Sequence, residues 1–159
     1  MVDVFAGRVL DLAKNLRKAN KMLYFKPLCF TSYVIVTPKG NPANIKSLED
    51  LGRTGVKVAM APKASSPGSQ SVFGILKKSN LTEAVMKNVL DKDASCVQRT
   101  ITEVTTGRAD AMIVENRLTT DPRYKDYLDV VPIPEEFFPP GPLTSISPAL
   151  LLLQEFFIF

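Results

Sequence analysis

The chain has 159 residues, 45% of them apolar and 23% charged, which fits one compact domain of ordinary globular composition. Its net charge of +4 comes from lysines and arginines scattered among acids, which argues against a dedicated nucleic-acid surface. It contains no histidine, which removes Ser–His–Asp and Cys–His catalysis and the usual histidine-bearing zinc sites together. Cys29 and Cys96 stand far apart, so neither a metal knuckle nor a disulfide framework follows from them, and both are expected as buried free thiols.

The opening stretch, "MVDVFAGRVLDLAKNLRK", carries acids early and alternates apolar with charged residues, unlike the uninterrupted apolar segment of a signal peptide. As written it holds no export signal. "SYVIVT" (32–37) is an apolar, β-branched run closed by the turn punctuation "PKGNP", and predicts a strand. "IKSLEDLG" predicts a short helix capped by Ser47, with Asp50 three residues on and Gly52 as its stop. "VKVAMA" (56–61) predicts a second strand. It leads into "PKASSPGSQS", where Ser66 suits an N-cap, Pro67 suits the first helical position, and Val72, Ile75 and Leu76 form an apolar face.

Thr82 is placed to cap a helix over "EAVMKNVL". Ser95 is placed to cap another over "CVQRTITEVTTG", with Val97, Ile101 and Val104 on one face and Gly107 as the stop. "ADAMIV" (109–114) and "LDVVPI" (128–133) predict further strands. The final "ISPALLLLQEFFIF" is strongly apolar, yet Pro148, Gln154 and Glu155 interrupt it and it falls short of the roughly 20 residues that span a bilayer. Such a tail has to be buried. The expectation is a two-fold homodimer in which the terminal segment of one chain covers the lobe of the other; the rival is a tail that is disordered or folds back as an extra strand in its own subunit.

Alternating strands and helices with tight turns predict an α/β fold, a mostly parallel sheet with helices on both faces. Ligands of such sheets sit beyond the carboxyl ends of the strands, where the 63–71 loop and Glu115 both fall. A helix beginning at Ser66–Pro67 leaves the N–H groups of Gly68, Ser69 and Gln70 without intrahelical partners, and the helix dipole adds positive character there. The hydroxyls of Ser65, Ser66 and Ser69 add donors. The helix after Ser95 is placed to aim the N–H groups of Val97 and Gln98 at the same crevice, making an oxyanion cradle from two helix starts. The plainer reading is that these serines and the glycine only cap a surface helix.

The blocks "YVIVTPKGNPANIKSLEDLGRTGVKVAMA", "PKASSPGSQS" and "TGRADAMIVE" resemble the second lobe of periplasmic molybdate- and tungstate-binding proteins of ABC importers, and "VDVFAG" resembles the segment leaving their first lobe. The likeness runs from Val2 to about Leu143. It implies a single lobe of the type II periplasmic-binding-protein fold, truncated relative to the family, that binds a tetrahedral oxyanion such as molybdate or tungstate and delivers it to an ABC permease.

Catalysis and a resident cofactor are not implied. The family offers backbone N–H groups from loops matching Ser66–Gly68 and Cys96–Val97. Pro67, lacking an N–H, shifts the expected donor to Gly68 and its serine neighbours. Glu115 is similar to a glutamate that, in archaeal members, joins the metal centre's coordination. On its own chemistry it is either such a ligand or the partner of a basic residue, Arg99 or Lys63. The likeness divides the chain into a crossover segment and first-lobe remnant (1–30), the ligand-binding lobe (31–134), and a return crossover with apolar tail (135–159). It implies a periplasmic or extracellular setting, while the missing export signal leaves the cytoplasm open. Two other readings are an effector-sensing domain of a transcription regulator and a small enzyme on the same scaffold.

Overall fold

A computed structural model of the chain describes residues 4–7, 10–22, 24–29, 32–64, 68–137 and 149–153. The centre of the molecule is set by the strand β3 (Tyr33–Pro38), in which every residue is buried. Six consecutive buried positions mean a strand covered on both faces, because neighbouring side chains point to opposite sides of the pleat. Tyr33 and Ile35 accordingly join one core cluster with Ile45, Leu48, Leu51, Ile75, Leu76 and Val85. Val34 and Val36 join the other, with Ile101, Val104, Leu118 and Tyr124. Fully burying each such side chain stabilises the fold by about 1.5–3 kcal/mol before ordering costs.

Three helices supply those clusters. The helices α2 (Gly68–Lys78) and α3 (Thr82–Asn88) send Val72, Ile75, Leu76 and Val85 into the first, and α4 (Val97–Thr105) sends Ile101 and Val104 into the second. Helices on both faces of the sheet are therefore as expected. The sheet is mostly parallel, as expected, with one strand reversed. β3 lies between β4 (Met112–Glu115) and β5 (Leu128–Pro132) and is antiparallel to both. Parallel pairing enters through Val58, bridged to Val89 on one side and to Ala111 on the other. Since Ala111 leads into β4, the segments at 58, 89, 111–115 and 128–132 all run one way and β3 alone runs against them. An apolar run encodes burial and not direction, so the reversed central strand left no trace in the residue pattern.

Local corrections follow the same logic. Residues 56–61 form an extended segment that pairs at its middle rather than a long strand: Val58 N–H donates to Asn88 O at 2.9 Å and Ala59 N–H to Ala111 O at 2.9 Å. The 47–52 helix is a single 3-10 turn, Glu49–Gly52, with no side-chain cap. Asp50 instead accepts the N–H groups of Lys46 and Ser47, at 2.8 and 3.2 Å. Gly52 lets this turn pack closely on α3, since a Cβ on it would stand 3.0 Å from the Cβ of Ala84. Gly107 ends α4 at φ +72°, the left-handed turn that favours glycine.

The termini form a separate three-stranded sheet in the order β1–β6–β2, from β1 (Val4–Gly7), β2 (Tyr24–Cys29) and β6 (Ala149–Leu153), with α1 (Leu10–Lys18) between β1 and β2 in the chain. Both pairings of β6 are antiparallel: Val4 and Tyr24 each face Leu153, and Gly7 and Pro27 each face Leu150. The apolar run Ala149–Leu153 thus folds back as an extra strand within its own chain, as the rival to the expected dimer had it.

Candidate functional site

Two loops lead into the helices that the sequence assigns to the cradle, and they are tied together. The Lys63 N–H donates to Ala94 O at 3.0 Å, and the Lys63 ammonium pairs with Asp93. The Asp93 hydrogen bond raises the Lys63 pKa, and the same bond lowers that of Asp93. Residue 63 precedes α2 and residues 93–96 precede α4, so this staple brings the two helix starts side by side.

The helix starts then converge on one crevice of ≈ 20 Å³, lined by Met60, Ala61, Ser69, Val72, Val97, Met112 and Ile113. Ser69 comes from the first turn of α2, Val97 is the first residue of α4, Met60 and Ala61 end the extended 56–61 segment, and Met112 and Ile113 come from β4. All of these lining residues are uncharged. What positive character the crevice has therefore comes from the helix starts.

At α4 the geometry is explicit. The N-cap, Cys96, is extended at φ −123°, ψ 112°, and makes no side-chain cap hydrogen bond, while Thr100 N–H closes the first turn on Cys96 O at 3.2 Å. Ser95 is therefore not the cap. Without a side-chain oxygen over the helix start, the N–H groups of Val97 and Gln98 stay available to an acceptor.

At α2 the helix begins at Gly68. Ser65 and Ser66, two of the expected donors, lie with Pro67 outside the described residues. The Ser69 hydroxyl donates to Ala64 O at 2.8 Å, closing the loop onto the helix, so its proton is engaged within the chain. The Gln98 side chain is exposed and its Oε1 lies 3.6 Å from Cys96 Sγ, a contact away from the crevice lining. Cys96 itself is an exposed free thiol, not the buried one expected, because it occupies the extended position just before a helix. The Cys29 side chain is outside the described residues.

Glu115 closes β4, buried to a fractional exposure of 7%. It stands two residues past Ile113 and so on the same face of the sheet, about 7 Å further along the strand. Its basic partner is Arg117, whose Nε donates to Glu115 Oε2 from the following 3-10 turn Asn116–Thr120. Neither of the expected candidates fills that role: Lys63 is held by Asp93, and Arg99 lies on a different cleft, on α4. The two-residue spacing in "VENR" was the available signal for Arg117.

A two-faced α/β sheet with helices on both sides and two helix starts meeting beside it fits a lobe of the type II periplasmic-binding-protein fold. The chain belongs to the family of bacterial extracellular solute-binding proteins, whose profile matches residues 1–148. Among solved structures it is similar to the substrate-binding domain described for a molybdenum ABC transporter of Clostridium difficile, at 20% identity and a TM-score of 0.72, over 95% of this chain and 62% of that one.

It is also similar to the sulfate-binding protein SubI of Mycobacterium tuberculosis, at 20% identity and a TM-score of 0.68, over 96% and 57% of the two chains. The periplasmic molybdate-binding protein of Azotobacter vinelandii aligns at 12% identity and a TM-score of 0.64, over 96% and 64%. At these identities the likeness establishes the fold. The chain spans about three-fifths of the length of these structures. No curated protein matches it significantly. Among the described residues, no helix is long and apolar enough to cross a membrane.

Proposed function

We propose that the chain is the solute-binding component of an ABC importer, or the second lobe of one, and that it binds a tetrahedral oxyanion such as molybdate or tungstate without transforming it. The observation that carries this reading is the convergence of the α2 and α4 starts on one uncharged crevice, with the α4 start uncapped by any side chain. Unsatisfied N–H groups at a helix start, reinforced by the dipole, favour an anion without the desolvation cost of a buried lysine or arginine. The crevice floor has room for about one water, so an oxyanion would sit at its mouth, against the amides of Gly68, Val97 and Gln98.

Glu115 is the discriminating residue. Held by Arg117 at the end of β4, it is a structural ion pair in the free protein, and in the bound state it is offered as a further oxygen ligand to a molybdenum or tungsten centre. Calorimetry with molybdate, tungstate and sulfate tests both parts. Binding of the first two that weakens selectively in Glu115→Gln supports the ligand role. Equal loss for all three anions reduces Glu115 to the ion pair, and no heat with any of them refutes the oxyanion reading. The permease of the importer is the proposed protein partner, with the periplasm or the cell exterior as the setting.

A further inference from the structure

We propose that α4 carries a second anion site, apart from the crevice, for a protonated tetrahedral oxyanion of the hydrogen-phosphate type. A cleft of ≈ 330 Å³ is lined by Arg99, Thr102, Glu103, Thr106 and Arg108, every one of them polar or charged. None of these residues lines the crevice between the helix starts. Arg99 and Glu103 sit one turn apart on α4, Thr102 and Thr106 likewise, and Arg108 follows the Gly107 turn that ends the helix, so helix and turn wall the cleft together.

The groups this cleft leaves open to a ligand define what fits it. Among the described residues, neither Arg99 nor Arg108 has a hydrogen-bond or ion-pair partner, so two exposed guanidinium groups are open to an external acceptor. Glu103 Oε2 is buried and has no hydrogen-bond partner, so a carboxylate oxygen lacks a donor. The threonine hydroxyls have already spent their protons inside the helix, Thr102 on Gln98 O at 3.1 Å and Thr106 on Thr102 O at 2.8 Å, and can now only accept.

The complementary molecule therefore offers anionic oxygens to the arginines and a hydroxyl proton to Glu103. Hydrogen phosphate has both. Sulfate near neutrality has only acceptors and would set a bare oxygen against the Glu103 carboxylate, as molybdate would. The two positive side chains against one negative leave the cleft net cationic, which favours an anion over a cation.

Calorimetric titration of the full chain with inorganic phosphate and with sulfate at neutral pH tests this, with molybdate titrated in parallel to read the crevice separately. Phosphate should bind at least about tenfold more tightly than sulfate, the scale of one charge-assisted hydrogen bond gained against one repulsion. Arg99→Ala combined with Arg108→Ala, both on exposed side chains, should remove the phosphate signal and leave molybdate binding as it was. Glu103→Gln, whose amide can donate, should narrow the gap between phosphate and sulfate. Absence of phosphate binding, equal affinity for the two anions, or phosphate binding that survives the double arginine substitution would each overturn the proposal. The last result would assign phosphate to the crevice instead.

Discussion

The sheet around β3 and the sheet formed by the termini solve the same problem by opposite means. In the first, β3 is buried on both faces and each of its side chains reaches one of two packed clusters, fed by helices that follow closely in the chain. In the second, β6 reaches back across the length of the chain to lie between β1 and β2. The first pairs segments already flanked by their own turns, whereas the second has to close a very long loop before any ladder forms. The difference teaches that the sheet around β3 stands on local packing, while the terminal sheet depends on a long-range closure.

The largest expected effect is one that breaks the lobe and spares nothing. Ile35→Ala, at a fully buried position of the central strand, should cost about 2–5 kcal/mol and lower the unfolding midpoint of the whole lobe. Deleting residues 149–159 should by contrast remove the terminal ladders and leave amide protection in 33–38 and 112–115 in place. Loss of that protection on deletion would mean that the two sheets are one cooperative unit. Light scattering on the full chain adds a second reading of the same contrast: β6 paired within its own chain predicts a monomer. A dimer whose mass halves on deletion would transfer β6 to a partner's sheet.

A smaller effect of opposite sign sharpens the account of β3. Thr37 is fully buried and its hydroxyl has no hydrogen-bond partner. Thr37→Val removes that unsatisfied group at constant shape and should be neutral or stabilise by up to about 1–2 kcal/mol in chemical denaturation. A clear destabilisation would show that the hydroxyl is satisfied.

The smallest concerns a surface pair beyond the lobe core. The Arg123 guanidinium bonded to Asp121 lowers the carboxyl pKa from 3.8 to about 2. A carboxyl lowered in the folded state adds stability that is fully present above its unfolded pKa and lost as pH falls through the folded value. Acid titration of stability should therefore show a shallow loss between about pH 4 and pH 2 that Asp121→Asn removes. The pair is solvent-screened, so the loss should be slight and should shrink further in high salt.

Much of the lobe was legible in the residues. The run "YVIV", the Val97–Ile101–Val104 face and Gly107 mark β3, α4 and its stop because burial and left-handed turns are written in residue type. Strand direction was not, since a strand covered on both faces carries no record of its neighbours' sense. The caps were misread where backbone geometry replaced side-chain chemistry: α3 begins at Thr82 itself, after Leu81, and α4 is preceded by an extended Cys96 where a serine one residue earlier suggested a hydroxyl cap.

At the candidate site, Ser69 and Val97, both legible as residues of a helix start, line one crevice. The apolar floor, Met60, Met112 and Ile113, was hidden because those residues read as ordinary core. Glu115 was singled out for its position at a strand end, but its partner Arg117 sits in a turn whose local shape the sequence does not spell out.

The measurement that bears most directly on the central claim is molybdate binding by Val97→Pro. Proline at the first position of a helix removes only an N–H that has no intrahelical partner, and the preceding Cys96 is already extended as proline requires. The fold should therefore hold, as judged by an unchanged unfolding midpoint. If the α4 start supplies a donor to the oxyanion, affinity for molybdate should fall about tenfold or more, the worth of one charge-assisted hydrogen bond. Wild-type affinity in a properly folded Val97→Pro protein would contradict the claim that the two helix starts form the cradle.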